Sequence, residues 1–257
     1  MTGDGVNDAL ALKDADIGIA MFSGAAATRA VAQLVLLDNK FSTMPSVVAE
    51  GRRVIANIER SANLFVTKTV YAVLIALFVA LAAWNYPFLP RQLTIISTFT
   101  IGIPGFFLAI APNKQRYFPG FLERVLRFTV PAGIVAGTAS LVTYAIAFYG
   151  ADVPLKQART ATTITLVIVG LWVLLILARP LTLWRGVLAA AMVLCVVAIL
   201  AIPALRDFYA LQLPDADVVG AALGVAAGAV IILESGWRIT RFVAHRRGGV
   251  QPGPVAA

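Results

Sequence analysis

The stretch from Thr2 to Asp8, TGDGVND, sets Asp4 between two glycines and places a second carboxylate, Asp8, four residues further on. Glycines allow a tight loop at the end of a strand, and two acids one helical turn apart can face a common point. Paired hard oxygen ligands suit Mg²⁺, which usually keeps several waters and a substrate phosphate beside one or two carboxylates. Taken alone, a GDG turn with acids nearby reads more readily as a plain surface turn.

The elements around this loop alternate short apolar runs with polar helical stretches up to about residue 60. ADIGIAM (Ala15 to Met21) and QLVLLDN (Gln33 to Asn39) read as strands, each preceded by a helix, which is an α/β pattern. The segment ahead of Asp4 is too short to supply a third strand. Two strands cannot close a core of ordinary size, so this is part of a domain. STMPSVVAEGRRVIANIERS, 42–61, follows as an amphipathic helix with Val47, Val48, Val54, Ile55 and Ile58 on its apolar face. Glu50, Arg52, Arg53, Glu59 and Arg60 are expected to be solvated.

Composition points the remaining chain into a bilayer. The sequence is 60% hydrophobic and only 13% charged, with a mean hydropathy of +0.85. Six apolar runs, at about 62–84, 92–111, 127–149, 160–179, 184–203 and 217–237, are each long enough to cross a hydrocarbon core. Proline and charge punctuate the breaks between them. The predicted fold class is thus a multi-spanning α-helical membrane protein of six transmembrane helices, with an N-terminal partial α/β, Rossmann-like segment. The formal charge of +8 lies in short clusters between the spans, so nucleic acid is not an expected partner. With the N-terminus inside, Lys114, Arg116, Arg124, Arg127, Arg179, Arg185, Arg238, Arg241, Arg246 and Arg247 fall on the inner side. Arg91, Lys156, Arg159 and Arg206 fall outside, and this excess predicts a multi-pass cell-membrane protein with both termini cytoplasmic. No secretory signal is read in the acidic first twenty residues. Gly133 and Gly137 in the third span, and Gly220, Gly224 and Gly228 in the last, predict close helix packing. The lone Cys195 excludes an intrachain disulfide or a cysteine-cluster metal site.

The longer string TGDGVNDALALKDADIGIAM closely resembles the hinge segment of the P-type cation-transporting ATPases, whose phosphorylation domain has the haloacid-dehalogenase fold. The likeness continues from Ser23 to Glu59, which resembles the end of that domain and the stalk entering the fifth membrane helix. Six spans starting there are similar to the fifth to tenth helices of the class with ten. On this resemblance 1–41 is a remnant of the phosphorylation domain, 42–61 the stalk, 62–240 the transmembrane domain and 241–257 a disordered cytoplasmic tail. It implies that Asp4 coordinates Mg²⁺, while Asn7 and Asp8 orient the metal, its waters and the phosphoryl group. It also implies ATP as a ligand of the full-length protein, and as partners the lipid bilayer, a transported cation and an N-terminal half of the pump.

The departures are equally specific. The phosphorylated aspartate of the family lies in a DKTGT-type motif, and no such string occurs in these 257 residues. Expected, then, is a chain inactive by itself; the alternative is an independent six-helix subunit or regulator that retains part of the domain. Phe22 stands where the family has glycine. STFTIGIP, Ser97 to Pro104, resembles the calcium-pump pattern NLVTDGLP, but Ser97 replaces asparagine and Ile101 the ion-binding aspartate. In the fifth helix Thr69 and Ala72 stand at the asparagine and glutamate positions. What remains as an ion path is Thr69, Ser97 and Thr100, with Pro104 between glycines expected to unwind the helix and bare carbonyl oxygens. Lys68 reads as a stand-in for a bound cation, as the partner of an acid from a missing helix, or as a lysine snorkelling to the interface. Glu234 reads as a partner of Arg238.

Overall fold

The computed structural model describes residues 1–110 and 120–246. Two compact units divide the chain, 1–52 and 53–257.

The first unit is a three-stranded parallel sheet, β1 (Thr2–Gly3), β2 (Ile19–Met21) and β3 (Leu34–Leu36), in the spatial order β1-β2-β3. Helices α1 (Ala9–Asp14) and α2 (Ala26–Val31) make the connections. Thr2 pairs with Ile19 and Gly3 with Ala20, while Ile19, Ala20 and Met21 pair with Leu34, Val35 and Leu36. The two residues ahead of Asp4 therefore do supply a third strand. A ladder needs only main-chain donors and acceptors, and Ile19 N donates to Met1 O at 2.8 Å to extend it. Leu12, Ile19, Ala20, Leu36 and the hydroxyl-bearing Thr28 form its small core.

Among the described residues six helices are long and apolar enough to cross a membrane, spanning Phe41–Ala82, Pro90–Ile110, Phe121–Gly150, Leu155–Leu177, Leu183–Ala201 and Ala216–Phe242. The chain is a multi-pass helical membrane protein. Its elements are α3 (Met44–Ala82), α4 (Pro90–Ser97), α5 (Ile103–Ile110), α6 (Phe121–Ala145), α7 (Leu155–Leu177), α8 (Leu183–Ala201), the short α9 (Pro203–Phe208) and α10 (Ala216–Arg246). A turn of π-helix, Thr98–Gly102, joins α4 to α5, and another, Ile146–Gly150, extends α6. Helix α7 is central: it packs on α6, α10, α4 and α8, and buries Ala158, Ala161, Leu166, Val169, Val173 and Ile176. Its threonines join the glue, with Thr165 Oγ1 donating to Ala222 O at 3.2 Å and lying 3.0 Å from Thr143 Oγ1.

Three expectations change here. In 53–61 the faces are exchanged: Val54, Ile55 and Ile58 are exposed, whereas Glu59 and Arg60 are buried. They share a stripe of α3 with Asn63, Thr67 and Tyr71, and a bilayer-facing helix turns its polar stripe toward its neighbours. Glycine packing divides likewise. A Cβ on Gly133 would lie 2.5 Å from Val70 and one on Gly137 3.0 Å from Leu74, so α6 and α3 approach through these glycines. A Cβ on Gly220, Gly224 or Gly228 would meet no neighbour within 4 Å, because α10 buries the opposite stripe of Val218, Ala222, Ala226 and Ala229. Finally, α10 stays helical to Arg246, so 241–246 is no disordered tail; residues 247–257, like Lys114 and Arg116, lie outside the described residues.

Candidate metal loop and ion path

The TGDGVND loop leaves β1 and enters α1 through a single 3₁₀ turn, Val6–Asp8. Asp8 folds back over it. Its Oδ2 accepts the amides of Asp4 at 3.1 Å and Gly5 at 3.0 Å, satisfying donors that would otherwise be orphaned at a helix start. Gly3 is needed beneath it, since a Cβ there would sit 2.6 Å from Asp8 Cβ. The start of α2 closes the loop from the other side: Ala25 N donates to Asp4 O at 2.8 Å and the buried Thr28 Oγ1 to Gly5 O at 2.7 Å. A Cβ on Gly24 would come within 2.8 Å of Asp4 O. Phe22, at the position that departs from the family, lies outside this contact and carries Arg29 over its ring at 5.4 Å.

This clamping leaves Asp4 exposed, and its carboxylate makes no hydrogen bond or ion pair among the described residues. Asn7 is exposed beside it. The two acids therefore divide their work, with Asp8 holding the loop and Asp4 presenting oxygen to solvent. No group of three or more His, Cys, Asp or Glu stands ready for a metal among the described residues. One open carboxylate beside a loop amide ladder fits Mg²⁺ held mostly by water and phosphate, and does not fit a cation needing an all-protein cage.

The ion-path residues separate. Thr69 lies on the exposed face of α3, its hydroxyl turned back to Phe65 O at 3.1 Å, with Phe65 and Val73 exposed around it. Ser97 and Thr100 face inward. Ser97 Oγ accepts from Lys68 Nζ at 2.7 Å and donates to Leu93 O at 2.8 Å. Lys68 thus bonds across to the second span. Thr100 is buried, donates to Ile96 O at 2.6 Å and packs on Gly170 of α7, where a Cβ would lie 2.9 Å from its methyl.

Between them the helix widens without unwinding. The π turn ends two residues before Pro104, which has no N–H to donate back into it, and both flanks remain helical. Neighbouring polar groups come from distant sequence: Arg124 reaches Glu59 through two bonds, and Glu234 accepts from both Arg179 and Arg238. Spacing revealed only the last of these, at i+4. Thr28, Gly24 and Gly170 were legible only as a small residue or hydroxyl whose partner lies elsewhere.

No protein-family model matches the chain. Among curated proteins it is 48% identical, over 96% of its length, to the calcium-transporting ATPase CtpE of Mycolicibacterium smegmatis. It is equally 48% identical over 98% of its length to the CtpE of Mycobacterium bovis, and 34% identical over 73% to the probable cation-transporting ATPase exp7 of Streptococcus pneumoniae. The chain spans about a third of the length of the two CtpE proteins, 33% in each case. A match of this extent, on a chain that combines the TGDGVND loop with six spans, means that the protein belongs to the P-type cation-transporting ATPases and corresponds to the C-terminal portion of one.

Proposed function

We propose that this chain supplies the Mg²⁺-holding loop and part of the ion path of an ATP-driven cation pump, with calcium as the cation and both termini in the cytoplasm. The observation that carries the reading is the Asp4 loop, held open by Asp8, Ala25 and Thr28, in a chain 48% identical to calcium-transporting relatives. Asp4 would hold the metal directly, Asp8 would keep the loop in shape, and Asn7 would orient a phosphoryl oxygen or a water. When bound, Mg²⁺ supplies positive charge that offsets the charge developing on a transferring phosphoryl group. The nucleophilic aspartate and the nucleotide site come from the part of the pump outside this chain, so the chain alone forms no phosphoenzyme. On the membrane side, Ser97 and Thr100 with the widened turn before Pro104 offer hydroxyl and carbonyl oxygens, the ligand type a hard cation takes.

Reading the coding DNA ahead of Met1 tests the assignment at low cost: an in-frame DKTGT-type motif followed by a nucleotide-binding region is expected. A stop codon in frame immediately upstream would favour the independent membrane subunit instead. With the whole pump in inverted vesicles, ATP-dependent ⁴⁵Ca²⁺ uptake is expected to vanish in Asp4→Ala; near-normal uptake would remove Asp4 from the metal site.

A further inference from the structure

Two guanidiniums lie near each other at one end of the membrane bundle with no acid to match them. Asn57 Nδ2 on α3 donates to Ala109 O at 2.6 Å, and Phe107 stands edge-on to Trp184 with ring centroids 5.8 Å apart, so the base of α3, the end of α5 and the start of α8 meet at this end. Arg60 on α3 is 2% exposed, and its Nε and Nη1 have no hydrogen-bond partner. Arg185 on α8 is buried too, close enough for the two positive charges to repel. Its Nη1 donates to main-chain oxygens, Ala178 O at 3.2 Å and Pro180 O at 3.0 Å. Glu59 is engaged by Arg124, and Glu234 by Arg179 and Arg238, so neither Arg60 nor Arg185 has an ion pair among the described residues. An unmatched buried charge is costly, and an anion that meets it offsets the cost. Helix α8 adds donors at the same end, because Thr182 makes no side-chain cap and leaves the first-turn amides to outside partners. The surface around this point is apolar: Leu181, Leu183, Trp184, Phe106 and Ile110 are all exposed.

We propose that Arg60 and Arg185, with the start of α8, hold the phosphate of an anionic phospholipid whose acyl chains lie along α5 and α8. Cations at the level where spans begin, beside an exposed tryptophan and apolar side chains, match a headgroup above and hydrocarbon below. A guanidinium presents paired N–H donors that fit two phosphate oxygens. Phosphatidylcholine would bring a further positive charge toward the pair, whereas phosphatidylglycerol brings none, so the site selects headgroups of net negative charge.

The test measures lipid retention by native mass spectrometry, together with thermal unfolding, for the whole pump and for this chain in nanodiscs of phosphatidylcholine alone or mixed with phosphatidylglycerol. Both proteins are expected to retain phosphatidylglycerol and to unfold at a higher temperature in the mixed nanodiscs. Arg60→Gln and Arg185→Gln are each expected to lower that retention by about tenfold or more. Arg206→Gln, at the other end of the bundle, is expected to leave it unchanged. In phosphatidylcholine alone Arg60→Gln is expected to unfold no earlier than the unaltered protein, since it removes an unmatched charge; this separates lost retention from lost folding. Undiminished retention in Arg60→Gln, or an equal loss in Arg206→Gln, would overturn the inference. Retention by this chain but not by the whole pump would mean that a carboxylate from the rest of the pump meets the pair, and would overturn it as well. A rise in unfolding temperature reproduced by inorganic phosphate in phosphatidylcholine nanodiscs would replace the lipid with a soluble anion.

Discussion

Arg124 and Glu59, 65 residues apart, meet in a two-pronged ion pair: Arg124 Nε lies 3.0 Å from Glu59 Oε1, and Nη2 lies 2.9 Å from Oε2. Glu59 is buried and joins α3 to the first turns of α6. Removing one partner leaves a buried charge unmatched. Arg124→Met is expected to cost about 3–5 kcal/mol, and Glu59→Met combined with Arg124→Met to recover most of that loss. Thermal unfolding of the two proteins in the same detergent decides it; equal destabilisation by both would mean the pair is not what the single variant breaks.

The loop acids have different tasks, so their variants should part. Asp4→Asn is expected to leave unfolding of the N-terminal unit unchanged while abolishing Mn²⁺ binding at the loop, read by electron paramagnetic resonance. Asp8→Ala removes the acceptor of two amides and is expected to cost about 1–3 kcal/mol. Loss of stability in Asp4→Asn would show that its carboxylate has a structural partner.

Thr28→Val keeps the shape of a fully buried side chain but leaves Gly5 O without its 2.7 Å donor. Faster proteolysis of the N-terminal unit is expected, corresponding to about 1–3 kcal/mol. An unchanged cleavage rate would mean that this bond does not hold the loop.

Two glycine substitutions should differ in sign. Gly133→Ala places a methyl 2.5 Å from Val70 and is expected to destabilise by about 1–3 kcal/mol. Gly224→Ala meets nothing within 4 Å and is expected to be neutral or to gain up to about 1 kcal/mol from helix propensity. Thermal unfolding in nanodiscs measures both, and a destabilising Gly224→Ala would reveal a neighbour on that face of α10.

Orientation is open to labelling. In a Cys195→Ser background, Asp14→Cys is expected to react with an impermeant maleimide only after cells are opened, and Asp207→Cys in intact cells. The reverse pattern would invert the topology.

Much of the architecture follows from local sequence alone. Runs of about twenty apolar residues mark the six spans because a bilayer core has one thickness, and glycine and proline mark their ends because few other residues break a helix. Asp4 could be singled out for the same reason, since a carboxylate between two glycines is a statement about one short loop. Folding in three dimensions decided what such patterns leave open. Periodicity identified the polar and apolar faces of 53–61 but not which faces inward; Glu59 and Arg60 turn inward, and Glu59 meets Arg124 there. It placed Thr69 beside Lys68, yet one residue rotates a helix by about 100°, so Lys68 reaches Ser97 while Thr69 faces out. It paired Asp4 with Asp8, but the orphaned amides of the loop claim Asp8 and leave the Asp4 carboxylate exposed. Sequence spacing reports neighbours along the chain; which of them share a site depends on the elements that pack across it.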